Sequence, residues 1–198
     1  MITKLEAVNR MLKAINERPV SALNSGVPDA ESAVSALDEV TKDVLAKGWQ
    51  CNTDYNFRFV PNPDGLIVLP DTAYRIDATG QSAALSIAVR RYNGHACIYN
   101  VDKQTYLWTG PVWADVVWEM AFEDLTHELQ AFITYKAARR FQKGSVQSVA
   151  IDKLLKELED EAWAALQDAE GETENCNVLR DCKSVRLITQ RNSRIWGI

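Results

Sequence analysis

Asp124, His127 and Glu128 stand three and four positions apart at the start of a helix-like stretch, so two carboxylates and an imidazole come round to one side. Such a set is the sharpest enzyme-like cluster in the chain and could bind a divalent metal. A closed metal site needs a further ligand, and the chain offers only two histidines, His95 and His127. Its four cysteines, Cys51, Cys97, Cys176 and Cys182, contain no C-x-x-C pair. The expectation is therefore acids in a first helical turn beside an exposed histidine, reduced and unpaired thiols, no metal and no cofactor. With 27 Asp and Glu residues, some carboxylates must lie at the spacing a glycosidase uses, so a virion-associated glycan hydrolase stands as the alternative function. No serine nucleophile elbow, glycine-rich phosphate loop or H-E-x-x-H is present, which removes support for the common motif-bearing enzyme classes and favours a non-enzyme.

Charge supplies two candidate interaction sites. Leu125, Leu129, Phe132, Lys136, Arg139 and Lys143 follow steps of four and three, so an apolar helical stripe turns basic halfway along. Ile133, Ala137 and Phe141 offer a replacement apolar row, which lets the basic row pair with the acidic helix that follows. Alternatively Lys136, Arg139, Arg140 and Lys143 meet a neighbouring subunit. From Asn177 to Ile198 there are five basic residues against one acid, a net of +4 that leaves −9 on the rest of a chain whose total is −5. The acidic body argues against a generic nucleic-acid binder. In the basic tail, Trp196 beside Ile195 and Ile198, with Arg186, Arg191 and Arg194 nearby, has the composition of an anchor for a partner protein, or of a tail folded back on its own domain.

The elements that must position these residues can be read from periodicity. Thr3 and Glu6 form a capping box that opens a helix over about residues 3–16, ended by Asn16 and Pro19. Pro28 and Asp29 open a second, which Gly48 closes. Residues 52–118 hold short alternating or β-branched runs: NFRFV, LIVL, AYRIDA, LSIAVRRY, ACIYNV, TYLWTG and ADVVWEM. Asn93-Gly94 between two of them predicts a type I′ hairpin, within an antiparallel unit of five to seven strands. Helical character returns from Asp124 past Gln142 and again over about 148–169, with Ile151, Leu154, Leu155, Leu158, Ala162, Ala165 and Leu166 on the expected buried face. Trp113, Trp118 and Trp163 are expected in cores. The fold class is α+β: a four-helix bundle from residues 1–49 and 121–170, an inserted antiparallel β domain over 50–120, and an extended C-terminal arm over 171–198. No apolar run approaches the roughly 20 residues that cross a bilayer, and the N-terminus lacks the apolar core of a secretory signal, so a soluble cytoplasmic product is expected.

Several blocks together resemble the tail tubular protein A family, the gatekeeper or adaptor proteins of short-tailed phages. They are EAVNRMLKAINERPV (Glu6 to Val20), GWQCNT (Gly48 to Thr53), GLIVLP (Gly65 to Pro70), IYNVDKQTYLW (Ile98 to Trp108) and FEDLTHELQAFITYKAARRFQ (Phe122 to Gln142). The chain departs from the family at Asn16, where glycine is usual, at Cys51, where an aromatic is usual, and at Thr126, where proline is usual. The resemblance implies a structural head-to-tail connector: a homo-oligomeric ring, typically of twelve copies, below the portal protein. That ring would link the portal to the tail nozzle and line the channel through which genomic DNA leaves without sequence-specific binding. It also implies residence in the virion tail, in the host cytoplasm during assembly, and no membrane partner.

Overall fold

The computed structural model describes residues 1–173, so the basic tail and its Arg186, Arg191, Arg194, Ile195 and Trp196, with Cys176 and Cys182, lie outside the described residues. Among the described residues, four helices and five strands make a mixed α+β fold: α1 Lys4–Ala14, α2 Pro28–Leu45, β1 Thr53–Phe59, β2 Ala73–Ala78, β3 Ile87–Tyr92, β4 His95–Asn100, β5 Val112–Trp118, α3 His127–Ser145 and α4 Val149–Thr173. Among the described residues, no helix is long and apolar enough to cross a membrane.

Local chemistry sets the helix ends. The Glu6 amide donates to Thr3 Oγ1 at 3.2 Å and the Thr3 amide donates to Glu6 Oε2 at 2.8 Å, which completes the capping box. Asn16 takes the left-handed conformation at φ 64, and the Glu17 amide reaches back to the Leu12 carbonyl at 2.9 Å. Helix α3 starts later than its charge pattern suggests. Residues Phe122–Asp124 form a separate 3-10 turn, Leu125 is extended and buried, and the helix begins only after Thr126. Of the acids near this helix start, Glu123 and Asp124 fall in the 3-10 turn and Glu128 lies in the first turn of α3.

All four helices contribute to one apolar cluster, and α3 touches each of the other three. That central position explains its unusual composition. Leu129, Phe132, Ile133, Ala137, Ala138 and Phe141 are buried, and so are the polar Gln130, Thr134 and Gln142. Gln130 is satisfied by its neighbours: its Oε1 accepts from the Ile2 amide at 2.7 Å and its Nε2 donates to the Phe122 carbonyl at 2.9 Å. It thereby ties the chain start and the 3-10 turn to α3. Helix α4 buries Leu155, Ala162 and Leu166, with Ile151 and Trp163 half-buried. Leu154, Leu158 and Ala165 do not join the core; a helix that packs along one flank buries a narrower stripe than the run of leucines suggests.

The β residues form a three-stranded antiparallel sheet in the order β1-β5-β2 and a β3-β4 hairpin. The hairpin turns on Asn93 and Gly94 at φ 50 and 84, both in the left-handed region that a type I′ turn needs. Two expected strands are reduced to bridges. The segment 66–69 lies antiparallel beside β4 through Ile98 N–H to Ile67 O and Leu69 N–H to Ala96 O, and Thr105 and Leu107 each make a single bridge. Phe59, Ile67, Leu69, Ile76, Ile98, Val112, Ala114 and Val116 make a second apolar cluster between the sheet and the hairpin. Trp118 packs against that cluster, while Trp113 alternates with the inward Val112 and Ala114 and takes Arg58 over its ring at 6.0 Å.

Asn52 joins the helical and β portions. It is buried between the end of α2 and the end of β5, its Nδ2 donating to the Leu45 carbonyl at 3.0 Å and the Trp118 carbonyl at 2.7 Å. Its Oδ1 accepts from the Trp49 amide at 2.7 Å. Beside it, Trp49 meets Trp163 edge-on at 5.9 Å and Trp163 leans on Phe132 at 5.0 Å, so α3 and α4 brace the same joint. Gly48, at φ 84, lets the chain pass within contact of Val117 there.

Candidate functional site

The basic half of α3 is the first candidate, and its side chains are engaged inside the chain. Arg139 presents Nε to Asp152 Oδ1 at 2.8 Å and Nη2 to Oδ2 at 3.4 Å, and its Nη1 reaches Glu159 at 3.2 Å. Lys143 Nζ shares the same Asp152 at 3.3 Å. The Arg139 hydrogen bond, reinforced by Lys143, holds the Asp152 carboxyl below the usual range, and Asp152 in turn raises the guanidinium. Arg140 turns to the other side, where Glu39 and Asp43 of α2 each lie at 2.9 Å. Lys136 extends its Nζ over the Phe132 ring at 5.1 Å, beside a shallow hollow of about 210 Å³ that Trp163 and Lys47 also line. Pairing between the basic row and the acidic fourth helix is thus present, and Arg140 adds α2. Arg140 and Lys143 keep about half of their side-chain surface exposed, whereas Arg139 is mostly covered.

The Asp124, His127 and Glu128 cluster is broken by backbone geometry. Asp124 ends the 3-10 turn, Leu125 is extended, and His127 and Glu128 begin α3. Among the described residues, no group of three or more His, Cys, Asp or Glu side chains is placed to hold a metal ion. Burial pushes the Cys51 and Cys97 thiols up, which leaves them poor nucleophiles. Among the described residues, three carboxyls are displaced in ionisation, Glu6 by the Thr3 amide, Asp102 by the Ser86 amide and Asp152 by Arg139, and all three are held down. A glycosidase acid requires the opposite direction.

Two features were not legible as sites. The polar joint of Asn52, Trp49 and Trp163 requires knowing that the ends of α2 and β5 meet. The outer face of the hairpin carries an aromatic group, with Tyr92 stacked on Tyr106 at 4.6 Å, Tyr99 edge-on to Tyr106 at 4.8 Å and Arg90 over the Tyr99 ring at 4.0 Å. Its only sequence signal is the alternation of Arg90 and Tyr92 with their neighbours.

What these surfaces have in common is exposed contact area. A model of the tail tubular protein family matches residues 5–176, which takes in every strand and helix described above. The chain is also 29% identical over 122 residues to Tail tubular protein A of Klebsiella phage KP34; the aligned part is 62% of this chain and 62% of that relative, so the match spans under two thirds of the relative's length.

Proposed function

We propose, because this chain belongs to the tail tubular protein family and is a structural component of a phage tail, that it serves as the adaptor between portal and tail nozzle. In this reading twelve copies form a ring below the portal, continue into the nozzle and line the channel through which genomic DNA leaves. The helices act as a four-helix bundle that forms the wedge of the ring, with residues 1–49 and 121–170 as its domain. The β domain over 50–120 contacts a tail neighbour. The arm over 171–198 reaches the portal through Arg186, Arg191, Arg194, Ile195 and Trp196. The exposed sides of Lys136, Arg140 and Lys143, with Arg139 behind them, lie toward the next subunit.

The observation that carries the reading is the family match over residues 5–176, because it covers helices, sheet and hairpin together rather than one motif. The acidic body supports it in a second way: a channel wall that carries few unpaired cations does not grip passing phosphate, since grip comes from neutralising basic side chains. The protein performs no catalysis in this role and needs no cofactor. It assembles in the host cytoplasm and remains in the virion tail.

Mixing the purified chain with the portal and nozzle proteins of its own phage and sizing the products by light scattering tests this. The expected result is a ternary complex whose mass accommodates a ring of this chain. Failure to bind either partner overturns the adaptor reading. Saccharide turnover abolished by a single Asp or Glu substitution would replace it with the hydrolase alternative.

A further inference from the structure

Strand β1 is an edge strand without the cover its side chains require. It pairs with β5 on one side, and among the described residues no strand or bridge lies on its other side. A bulge around Asn56, where φ is 55, interrupts the pairing between Asp54 and Phe57, so the straight part of the edge is residues 57–60, ahead of Pro61. Phe57 and Phe59 lie opposite Ala114 and Val112 of β5 and so share the face that looks into the second apolar cluster. Phe59 is 6% exposed. Phe57 is 39% exposed, even though it rests on Phe59 at 4.8 Å and meets Trp118 edge-on at 5.8 Å, and Val60 beyond it is also exposed. Apolar packing thus stops at the rim of the sheet, with one flank of an aromatic ring bare beside an open backbone edge.

Helix α4 delivers the chain to this place. The Gln50 amide, three residues before β1, donates to Glu170 Oε2 at 3.2 Å, and Glu170 stands three residues before the helix end at Thr173. Residues 174–198 follow, outside the described residues. Within them the sequence SVRLITQ, residues 184–190, alternates Val185, Leu187 and Thr189 with Arg186, Ile188 and Gln190, is rich in β-branched side chains and holds no glycine or proline. The intervening residues 174–183 extend to about 33 Å, more than the roughly 23 Å of chain from Gln50 to Phe57.

We infer that residues 184–190 of the same chain add to the open edge of β1 as a further strand, with Leu187 beside Phe57. In such an addition the backbone hydrogen bonds supply affinity and the alternate side chains supply register. A linker this short holds the segment at an effective concentration in the millimolar range, which favours the chain's own segment over that of a second copy. With Leu187 on the inner face, alternation puts Arg186 on the outer face, and Arg191, Arg194, Ile195 and Trp196 lie past the strand, so the residues proposed above to meet the portal stay accessible. The added strand needs neither portal nor ring, so it stands or falls apart from the adaptor reading.

Amide hydrogen exchange on the full chain tests it, read on residues 53–59. These amides should be protected in the wild type. Leu187→Pro with Ile188→Pro should speed their exchange by about tenfold or more, because adjacent prolines remove one donor toward each side of the added strand. Amides of α3 should exchange as in the wild type, which shows that the variant is folded. Leu187→Asp, which keeps the backbone donors but puts a charge beside Phe57, should act in the same direction. Exchange of β1 that is equal in the wild type and both variants overturns the inference. Acceleration that extends into α3 overturns it as well, since an added edge strand is not what holds the helices, and so does acceleration confined to a segment other than β1. Protection should survive about a hundredfold dilution. Its loss on dilution gives the edge to a second copy's segment and overturns the assignment to the same chain.

Discussion

Replacing Asn52 with alanine removes three hydrogen bonds to the backbone, those to the Leu45 and Trp118 carbonyls and that from the Trp49 amide, at 3.0, 2.7 and 2.7 Å. Asn52 is almost fully buried, so water cannot readily replace those bonds. Each net bond contributes about 1 kcal/mol, and the Asn52→Ala cost is therefore about 3 kcal/mol. In a domain of this size, 1 kcal/mol moves the midpoint by about 2–4 °C, so thermal unfolding followed by near-UV circular dichroism should shift down by about 6–12 °C. Asn52→Asp sharpens the test. Its carboxylate still accepts from the Trp49 amide but faces two carbonyl oxygens with no hydrogen to offer. Burial and those oxygens raise the carboxyl in the folded state, so the stability of this variant should fall between about pH 5 and pH 8, whereas Asn52→Ala should show no such slope. A midpoint shift under about 2 °C for Asn52→Ala, or parallel pH profiles for the two variants, would refute the assignment of Asn52 as the clasp of the joint.

Gly80→Ala should destabilise by about 1–3 kcal/mol, since Gly80 is held at φ 54 and a Cβ there runs into Asn56 Oδ1; a chemical-denaturation midpoint equal to wild type would count against it. Burial, with Glu119 adding to it, pushes the Tyr74 phenol up to about 12. Because the unfolded phenol ionises near its ordinary value, that group contributes stability below about pH 10 and loses it as pH rises toward 12; urea unfolding across this range should show a steeper decline for wild type than for Tyr74→Phe. Asp152 is displaced in the other direction, so its pairing with Arg139 contributes above the usual carboxylate range and fades as pH falls through the lowered value. Arg139→Met should flatten the acid limb of the stability profile, and an unchanged limb would place the acid sensitivity elsewhere.

Much of the fold is carried by short-range signals that act where they are written. Thr3 and Glu6 cap a helix by standing three positions apart, and Asn93-Gly94 makes its turn from local backbone preference alone. What escaped a linear reading depends on distance in space. The leucines at 154 and 158 have the right period for a core, but which flank of α4 is covered depends on where α3 lies. Trp113 belongs to a strand with one inner face, and alternation puts it on the other. Arg139 and its acids were legible as complementary helices, since their spacing is regular along both. The Asn52 clasp was not, because its partners at residues 45 and 118 are remote from each other in the chain.

That clasp has a mechanical consequence. The chain leaves the helices after Leu45 and comes back through Trp118, and one amide holds both crossings at the same place. A pull on the sheet or hairpin therefore loads the two crossings in parallel and passes into the ends of α2 and the turn before α3 together, rather than drawing one helix out of the others. Equally, the residues between those crossings form a cassette whose two ends are neighbours. A cassette of that kind can be exchanged for another of different length or surface while the helices keep their packing, so the β part is free to diverge without redesign of the part that packs around α3.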